Sequence, residues 1–126
     1  ITTVFSGDLG RYDDPTMLDP EPVAHADYLV IESTYGDRRH AAQNPEEALR
    51  AVIEKTAARG GTVVIPAFAV GRAQTLLYHL WRLKSAGHLQ HIPIFLDSPM
   101  AVDASEILCR HHDDQKLSLD ICRRSC

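Results

Sequence analysis

The order of the apolar segments constrains the fold of this chain more than any other feature of its sequence. Short apolar runs rich in β-branched residues occur at 1–5, 26–32, 62–67 and 92–96, and a segment with helical periodicity follows each of the last three. Such alternation is typical of a parallel sheet flanked by helices, because parallel strands need a long crossover connection. The sequence therefore predicts an α/β fold.

Capping residues mark where the three helices begin and end. Asn44-Pro45 and Ser98-Pro99 each place an N-cap residue before a proline in the first helical position. Gly60-Gly61 and Gly87 end the first two helices, and the third is expected over 100–112. The i, i+3, i+4 spacing predicts that the buried faces of the first two helices contain Leu49, Val52, Ile53 and Thr56, and Leu76, Leu77, Leu80 and Leu83.

Two acidic residues follow the first two predicted strands. Asp8 lies in the turn Ser6-Gly7-Asp8-Leu9-Gly10-Arg11, and Glu32 ends the second run. Ligands of open α/β sheets bind at the carboxyl ends of the strands, and a carboxylate there can bridge two metal ions. The alternatives are an ordinary Gly-Asp turn for Asp8 and a loop-capping acid for Glu32.

Two helix starts offer places for phosphate. Arg72 follows Gly71 where the second helix begins, and a guanidinium beside free N–H groups attracts an anion. An alternative for Arg72 is a surface ion pair within the helix. Two roles are likewise possible for Ser98, contact with substrate and capping of the helix. Its role as an N-cap is sufficient to explain a serine at this position.

The acidic loop at 12–22 is expected to be solvated rather than a metal cluster, although it contains Asp13, Asp14, Asp19 and Glu21. Cys109, Cys122 and Cys126 are interpreted as free thiols of a cytoplasmic protein. A metal site built from Cys122 and Cys126 with His111 and His112 matches no standard zinc spacing.

Length and charge limit the number of domains and the kinds of partner that the chain can have. The 126 residues amount to about one domain, and the net charge of −4 provides no overall basic field for nucleic acid. No run is long enough to span a membrane, and no signal peptide is visible. Because the chain begins within a strand and without Met, we expect it to be a piece of a longer protein.

Four motifs occur in a characteristic order. They are FSGDLGR at 5–11, ESTYGDR at 32–38, IPAFAVGRAQTLL at 65–77 and FLDSPMA at 95–101. These motifs resemble those of the β-CASP family of the metallo-β-lactamase superfamily. Members of this family are zinc-dependent RNA-processing nucleases, related to ribonuclease J and to the cleavage subunit of messenger 3′-end processing. The resemblance covers residues 1 to 122. It implies that 1–36 end a metallo-β-lactamase (αββα) segment, and that 37–126 open a Rossmann-like β-CASP domain, with a polar linker at 37–43.

The resemblance also implies roles for individual residues. Asp8 occupies the position of an aspartate that bridges two zinc ions, and Glu32 that of an acid orienting a histidine near the leaving oxygen. Arg72 and Ser98 remain candidates for contacting substrate phosphates. The histidine-rich ligand segments of the family are absent from these residues, so all seven histidines are expected to be structural or surface groups.

The expected function is cleavage of single-stranded RNA in the cytoplasm by the longer protein, whereas this chain alone should bind zinc weakly and cleave nothing. Two alternatives remain: a metal-free phosphate- or nucleotide-binding module, and a non-catalytic β-CASP scaffold. The module lacks the G-x-G-x-x-G and G-x-x-x-x-G-K-[ST] patterns, and the scaffold is disfavoured by the presence of Asp8 and Glu32. Homodimer formation, and cleavage inside RNA or from its end, are left open.

Overall fold

The structure, a computed structural model, describes residues 1–39 and 43–125. Two short strands are followed by four α-helices, and a 3₁₀ turn precedes the last helix. This arrangement confirms an α/β chain. The elements are β1 (Thr3–Phe5), β2 (Tyr28–Val30), α1 (Pro45–Ala57), α2 (Arg72–Ser85), α3 (Pro99–Arg110), the 3₁₀ turn (His112–Asp114) and α4 (Leu119–Ser125).

β1 and β2 form a parallel pair in the register Thr3 to Tyr28 and Phe5 to Val30. The pairing continues one residue further, where Ser6 N–H donates to Val30 O at 2.9 Å. The predicted parallel relation is therefore confirmed. Each strand is three residues long, so both are shorter than the predicted strands at 1–5 and 26–32.

The predicted strands at 62–67 and 92–96 are not part of any sheet among the described residues. Val63 and Ile94 pack against the helices, whereas Val64 and Phe95 are 83% and 86% exposed. Both predictions were wrong for this chain. The reason is that an apolar pattern shows which side chains can be buried, while a strand also needs a neighbour to pair with its backbone.

The helical core lies between α1 and α2. Ile53, Leu80 and Leu83 are buried there together with Leu89, which lies in the turn after α2. Leu49 and Thr56 are half-buried, as are Leu76 and Leu77. Val52 was predicted to be buried and is 55% exposed, because the face of α1 that contacts α2 is narrower than the apolar stripe of the sequence.

The predicted caps are confirmed. Asn44 Oδ1 accepts from Glu46 N–H at 2.9 Å, and Ser98 Oγ accepts from Ala101 N–H at 3.2 Å. Gly60 and Gly87 have positive φ angles of 72° and 87°, which glycine adopts without strain. The third helix ends at Arg110, two residues before the predicted end.

Most residues of the loop at 12–22 are exposed, as its composition predicts, but the loop is also anchored to the rest of the chain. Thr16 is 1% exposed. Asp14 Oδ1 accepts from Thr16 N–H, Thr16 Oγ1 and Met17 N–H at 2.8 to 2.9 Å, and Lys116 Nζ lies 2.7 Å from Asp19 Oδ1. Asp14 is thus engaged in turn bonds and Asp19 in an ion pair, and these contacts hold the loop against the helical part of the chain, whereas Asp13 and Glu21 are exposed.

The cysteines also differ from expectation. Cys109 and Cys122 form a disulfide, so the interpretation of both as free thiols was wrong. The end of α3 and the middle of α4 bring their Cα atoms to 5.7 Å, within the range that a disulfide requires. Sequence spacing could not reveal this contact. Cys126 lies outside the described residues, as do His40 and part of the predicted linker, at 40–42.

None of the helices found in residues 1–39 and 43–125 has the length and apolar character needed to cross a bilayer.

Candidate functional site

Asp8 lies in the turn that follows β1. The chain leaves the strand at Ser6, and Gly7 adopts a φ of 55°, a left-handed conformation that favours glycine. Ser6 Oγ accepts from Glu32 N–H at 3.0 Å, which joins this turn to the end of β2. Asp8 is exposed, so its carboxylate is available to solvent and ligands at the carboxyl edge of the two strands.

Glu32 connects the two strand ends through its side chain. Its Oε1 accepts from Leu9 N–H at 3.3 Å and its Oε2 accepts from Thr34 N–H at 3.0 Å. Bonds from Thr34 N–H, the Thr34 hydroxyl and Leu9 N–H hold the pKa of Glu32 below its ordinary value, because they favour the ionised form. The structure therefore brings the ionised side chain of Glu32 to Leu9, the residue that follows Asp8, and this contact holds the Asp8 turn in place.

Arg72 begins α2 behind Gly71, whose φ is 78°. The first two N–H groups of this helix are already occupied. Arg72 N–H donates to Val70 O at 3.0 Å, and Ala73 N–H donates to Phe68 O at 3.3 Å. The expectation of free N–H groups at this helix start is thus wrong for these two, and an anion here would depend on the exposed Arg72 side chain.

Ser98 is an N-cap, as described above, so its hydroxyl is committed to α3. The start of α2 is nevertheless linked to the middle of α3. Gln74, 3% exposed, donates from Nε2 to Ala69 O at 2.9 Å and to Ser105 Oγ at 3.0 Å. This buried amide connects the loop before Arg72 to the helix that Ser98 begins. No sequence pattern indicated this role for Gln74.

A second link joins the α2 start to the loop that follows Asp8. Thr16 Oγ1 lies 3.0 Å from Thr75 Oγ1, and Thr75 Oγ1 donates to Gly71 O at 3.1 Å. Lys116 Nζ donates to Asp14 O at 3.1 Å on the other side of the loop. Sequence reasoning missed these residues. The Asp-x-Thr spacing of Asp14 and Thr16 is a typical turn signal that could have indicated an ordered loop.

The residues present do not by themselves fit a zinc site. Within the described ranges, no three His, Cys, Asp or Glu side chains converge as metal ligands. Glu32 is engaged with backbone N–H groups, which leaves Asp8 as the exposed carboxylate of this edge. A zinc site needs about four ligands, or three with water. His79 has a structural role: its Nδ1 lies 2.8 Å from Glu46 Oε1, where it joins α2 to α1.

The parallel strand ends and the flanking helices define an α/β chain with an acidic edge, and comparison with known proteins identifies its family. Residues 73–125 match the family model described as the Beta-Casp domain. Together with the relatives below, this match shows that the chain belongs to the β-CASP family of the metallo-β-lactamase superfamily.

Three relatives illustrate the similarity. The chain is 47% identical over 103 residues to Ribonuclease TTHA0252 of Thermus thermophilus, covering 79% of this chain and 23% of the relative. It is 40% identical over 108 residues to cleavage and polyadenylation specificity factor subunit 3-I of Arabidopsis thaliana, covering 80% of this chain and 15% of the relative. It is 35% identical over 101 residues to an RNase J-like protein of Methanocaldococcus jannaschii, covering 77% of this chain and 24% of the relative.

The chain thus spans about a quarter or less of the length of these curated relatives. The comparison with solved structures finds no significant match.

Proposed function

We propose that this chain is part of a longer metal-dependent nuclease that cleaves phosphodiester bonds in single-stranded RNA in the cytoplasm. One observation carries the proposal: two parallel strands end side by side, with Asp8 exposed in one turn and Glu32 clamping that turn from the other. Support comes from a relative named a ribonuclease, to which the chain is 47% identical.

The chain's own residues have distinct roles in this proposal. Asp8 would hold zinc through its carboxylate together with ligands from the rest of the longer protein, and the metal would activate the water that attacks phosphorus. Glu32 keeps the Asp8 turn in place, and the family resemblance adds that it orients a histidine. Arg72 contacts a substrate phosphate through its guanidinium, while Ser98 acts by starting α3. We assign residues 1–36 to the metallo-β-lactamase part and 37–126 to the β-CASP part.

The test replaces Asp8 by Asn in the longer protein. An amide is neutral and cannot be shared by two cations as a carboxylate is, so cleavage of single-stranded RNA should fall by about a hundredfold or more, together with the bound zinc. The matched control is Asp13→Asn, because Asp13 is exposed in the same loop and its φ of 59° suits Asn. Unchanged turnover with full zinc content in Asp8→Asn would rule out the proposed role.

A further inference from the structure

A groove of about 630 Å³ lies along α3 and α4, away from the strand ends. Cys109 forms part of its wall, at the point where the Cys109–Cys122 disulfide joins the two helices. The two sulfur atoms differ in access. Cys109 is half-buried and lines the groove, whereas Cys122 is 0% exposed. A reagent that enters the groove therefore reaches the disulfide from the Cys109 side.

The charge of the groove selects which reagents enter it. Arg110 and Arg123 line the wall together with Glu106. Arg110 Nη2 lies 3.4 Å from Glu106 Oε2, so the carboxylate of Glu106 balances the charge of Arg110. The positive charge of Arg123 is not balanced by Glu106. His112 also lines the groove and lies 3.4 Å from Asp113. The groove is thus locally basic on a chain whose net charge is −4, so it attracts small anions.

We propose that the Cys109–Cys122 disulfide is a redox-sensitive clasp, opened by a small anionic thiol that binds in this groove. Reactivity of a disulfide depends on access to one sulfur along the S–S direction and on how well the other sulfur leaves as a thiolate. The groove supplies the access at Cys109. Gln115 supplies the second condition, because its Nε2 lies 3.7 Å from Cys122 Sγ and can donate to the departing thiolate.

The exchange proceeds in two steps. The incoming thiolate attacks Cys109 Sγ and forms a mixed disulfide, and the electron pair of the old S–S bond leaves on Cys122 Sγ, which then takes a proton from solvent. A second thiolate attacks the sulfur of the bound thiol and releases Cys109 as a thiolate. In total, two thiols are oxidised to one external disulfide, and the two cysteines are reduced.

The surroundings of Gln115 indicate what the clasp controls. Its Nε2 also donates to Leu108 O at 3.0 Å, while its Oε1 is buried without a hydrogen-bond partner among the described residues. A thiol proton on the reduced Cys122 is a donor of the kind that this oxygen lacks. Gln115 pairs with Met17, and Lys116 N–H donates to Thr16 O at 2.9 Å. Release of α4 from α3 therefore reaches the loop that follows Asp8.

The first experiment locates the disulfide in the 126-residue chain purified without reductant. Tryptic cleavage after Lys84, Arg110, Lys116, Arg123 and Arg124 places Cys109, Cys122 and Cys126 on three separate peptides. We expect mass spectrometry to find the peptides of Cys109 and Cys122 linked. Free, alkylated cysteines at both positions, or a link through Cys126 instead, would overturn the proposal.

The second experiment compares glutathione, an anionic thiol, with cysteamine, a cationic one, at equal thiolate concentration. Each reduction rate is divided by the rate for an unstructured peptide disulfide, which removes intrinsic reactivity. At low ionic strength glutathione should be favoured roughly tenfold, and high salt should abolish the preference. The first adduct should form on the Cys109 peptide. An adduct on Cys122, or equal relative rates for the two thiols, contradicts the proposal without requiring any variant to fold.

The third experiment uses variants. Arg110→Gln with Arg123→Gln should remove the preference for glutathione. Arg124→Gln should keep it, because Arg124 is exposed, lies 3.7 Å from Asp120 and does not line the groove. Amide hydrogen exchange should become faster at Thr16 and Lys116 when the wild-type disulfide is reduced. Unchanged exchange there would show that the disulfide does not control the loop.

Discussion

At the scale of single residues, Glu32 is the acid of the candidate site whose contacts the structure defines most fully. The resemblance implies an acid that orients a histidine, and the alternative is an acid that caps a loop. Both of its oxygens accept from backbone N–H groups, those of Leu9 and Thr34. These bonds keep its pKa low, so the clamp persists at neutral pH. Its observed contribution is to position the turn that presents Asp8.

Replacement of Glu32 by Gln should loosen this turn. Gln keeps one carbonyl oxygen, but its amide group would present a donor to one of the two backbone donors, so one bond is lost. Amide hydrogen exchange should become several-fold faster at whichever of Leu9 and Thr34 loses its bond. Glu21→Gln, in an exposed loop, is the control and should leave both amides unchanged. If both amides exchange as slowly in Glu32→Gln as in the wild type, the carboxylate is not the group that holds the turn.

At the scale of elements, the loop at 12–22 connects parts of the chain that are distant in sequence. It is bonded to α2 through Thr16 and Thr75, and to the segment before α4 through Lys116. Burial of Asp14 tends to raise its pKa, but bonds from Met17 N–H, Thr16 N–H and the Thr16 hydroxyl outweigh this effect and hold the pKa below its ordinary value. The ionised carboxylate thus stabilises the docked loop.

The stability that Asp14 contributes should depend on pH. Because its folded pKa is lower than its unfolded pKa, the contribution is fully present above the ordinary value, about 4, and is lost as pH falls through the folded value. Asp14→Asn should therefore lower the free energy of unfolding at pH 6 more than at pH 3. Denaturant titrations at both pH values measure this difference.

Asp103→Asn provides the control for Asp14, since Asp103 is an exposed residue of α3. An identical cost of Asp14→Asn at pH 3 and pH 6 would contradict the assigned role of its carboxylate.

At the scale of the whole molecule, the chain exposes more surface than its size requires. Its accessible area is 9840 Å², against about 6,700 Å² for a compact monomer of 14.0 kDa. Large apolar side chains contribute to this surface: Phe68 and Phe95 are 82% and 86% exposed. These residues lie around the unpaired segments at 62–67 and 92–96, where neighbouring strands would cover them.

The isolated chain should therefore self-associate through this surface. Analytical ultracentrifugation should show a concentration-dependent rise in mass, and Phe68→Ser with Phe95→Ser should weaken the association. Val23→Ser is the control, because Val23 is also exposed, at 62%, but lies in the loop before β2. A wild-type chain that stays monomeric at all concentrations would show that this surface does not drive association.

The sequence by itself determined where the helices begin and end, and its motifs indicated the family. Asn44, Ser98, Gly60 and Gly87 mark helix ends because capping depends on bonds and φ angles within a few residues. The position of Asp8 and Glu32 after parallel strands also followed from local patterns, and the chemical roles of Asp8, Glu32 and Arg72 remain predictions.

Tertiary structure alone decided the contacts between distant segments. Thr16 bonds to Thr75, Lys116 to Asp19 and Cys109 to Cys122 across 59, 97 and 13 positions. The segment at 62–67 stays outside a sheet although its residues favour strands. The physical reason is the same in each case: a hydrogen bond, a disulfide or a sheet needs a partner brought near by the whole fold, and propensity within one segment carries no information about that partner.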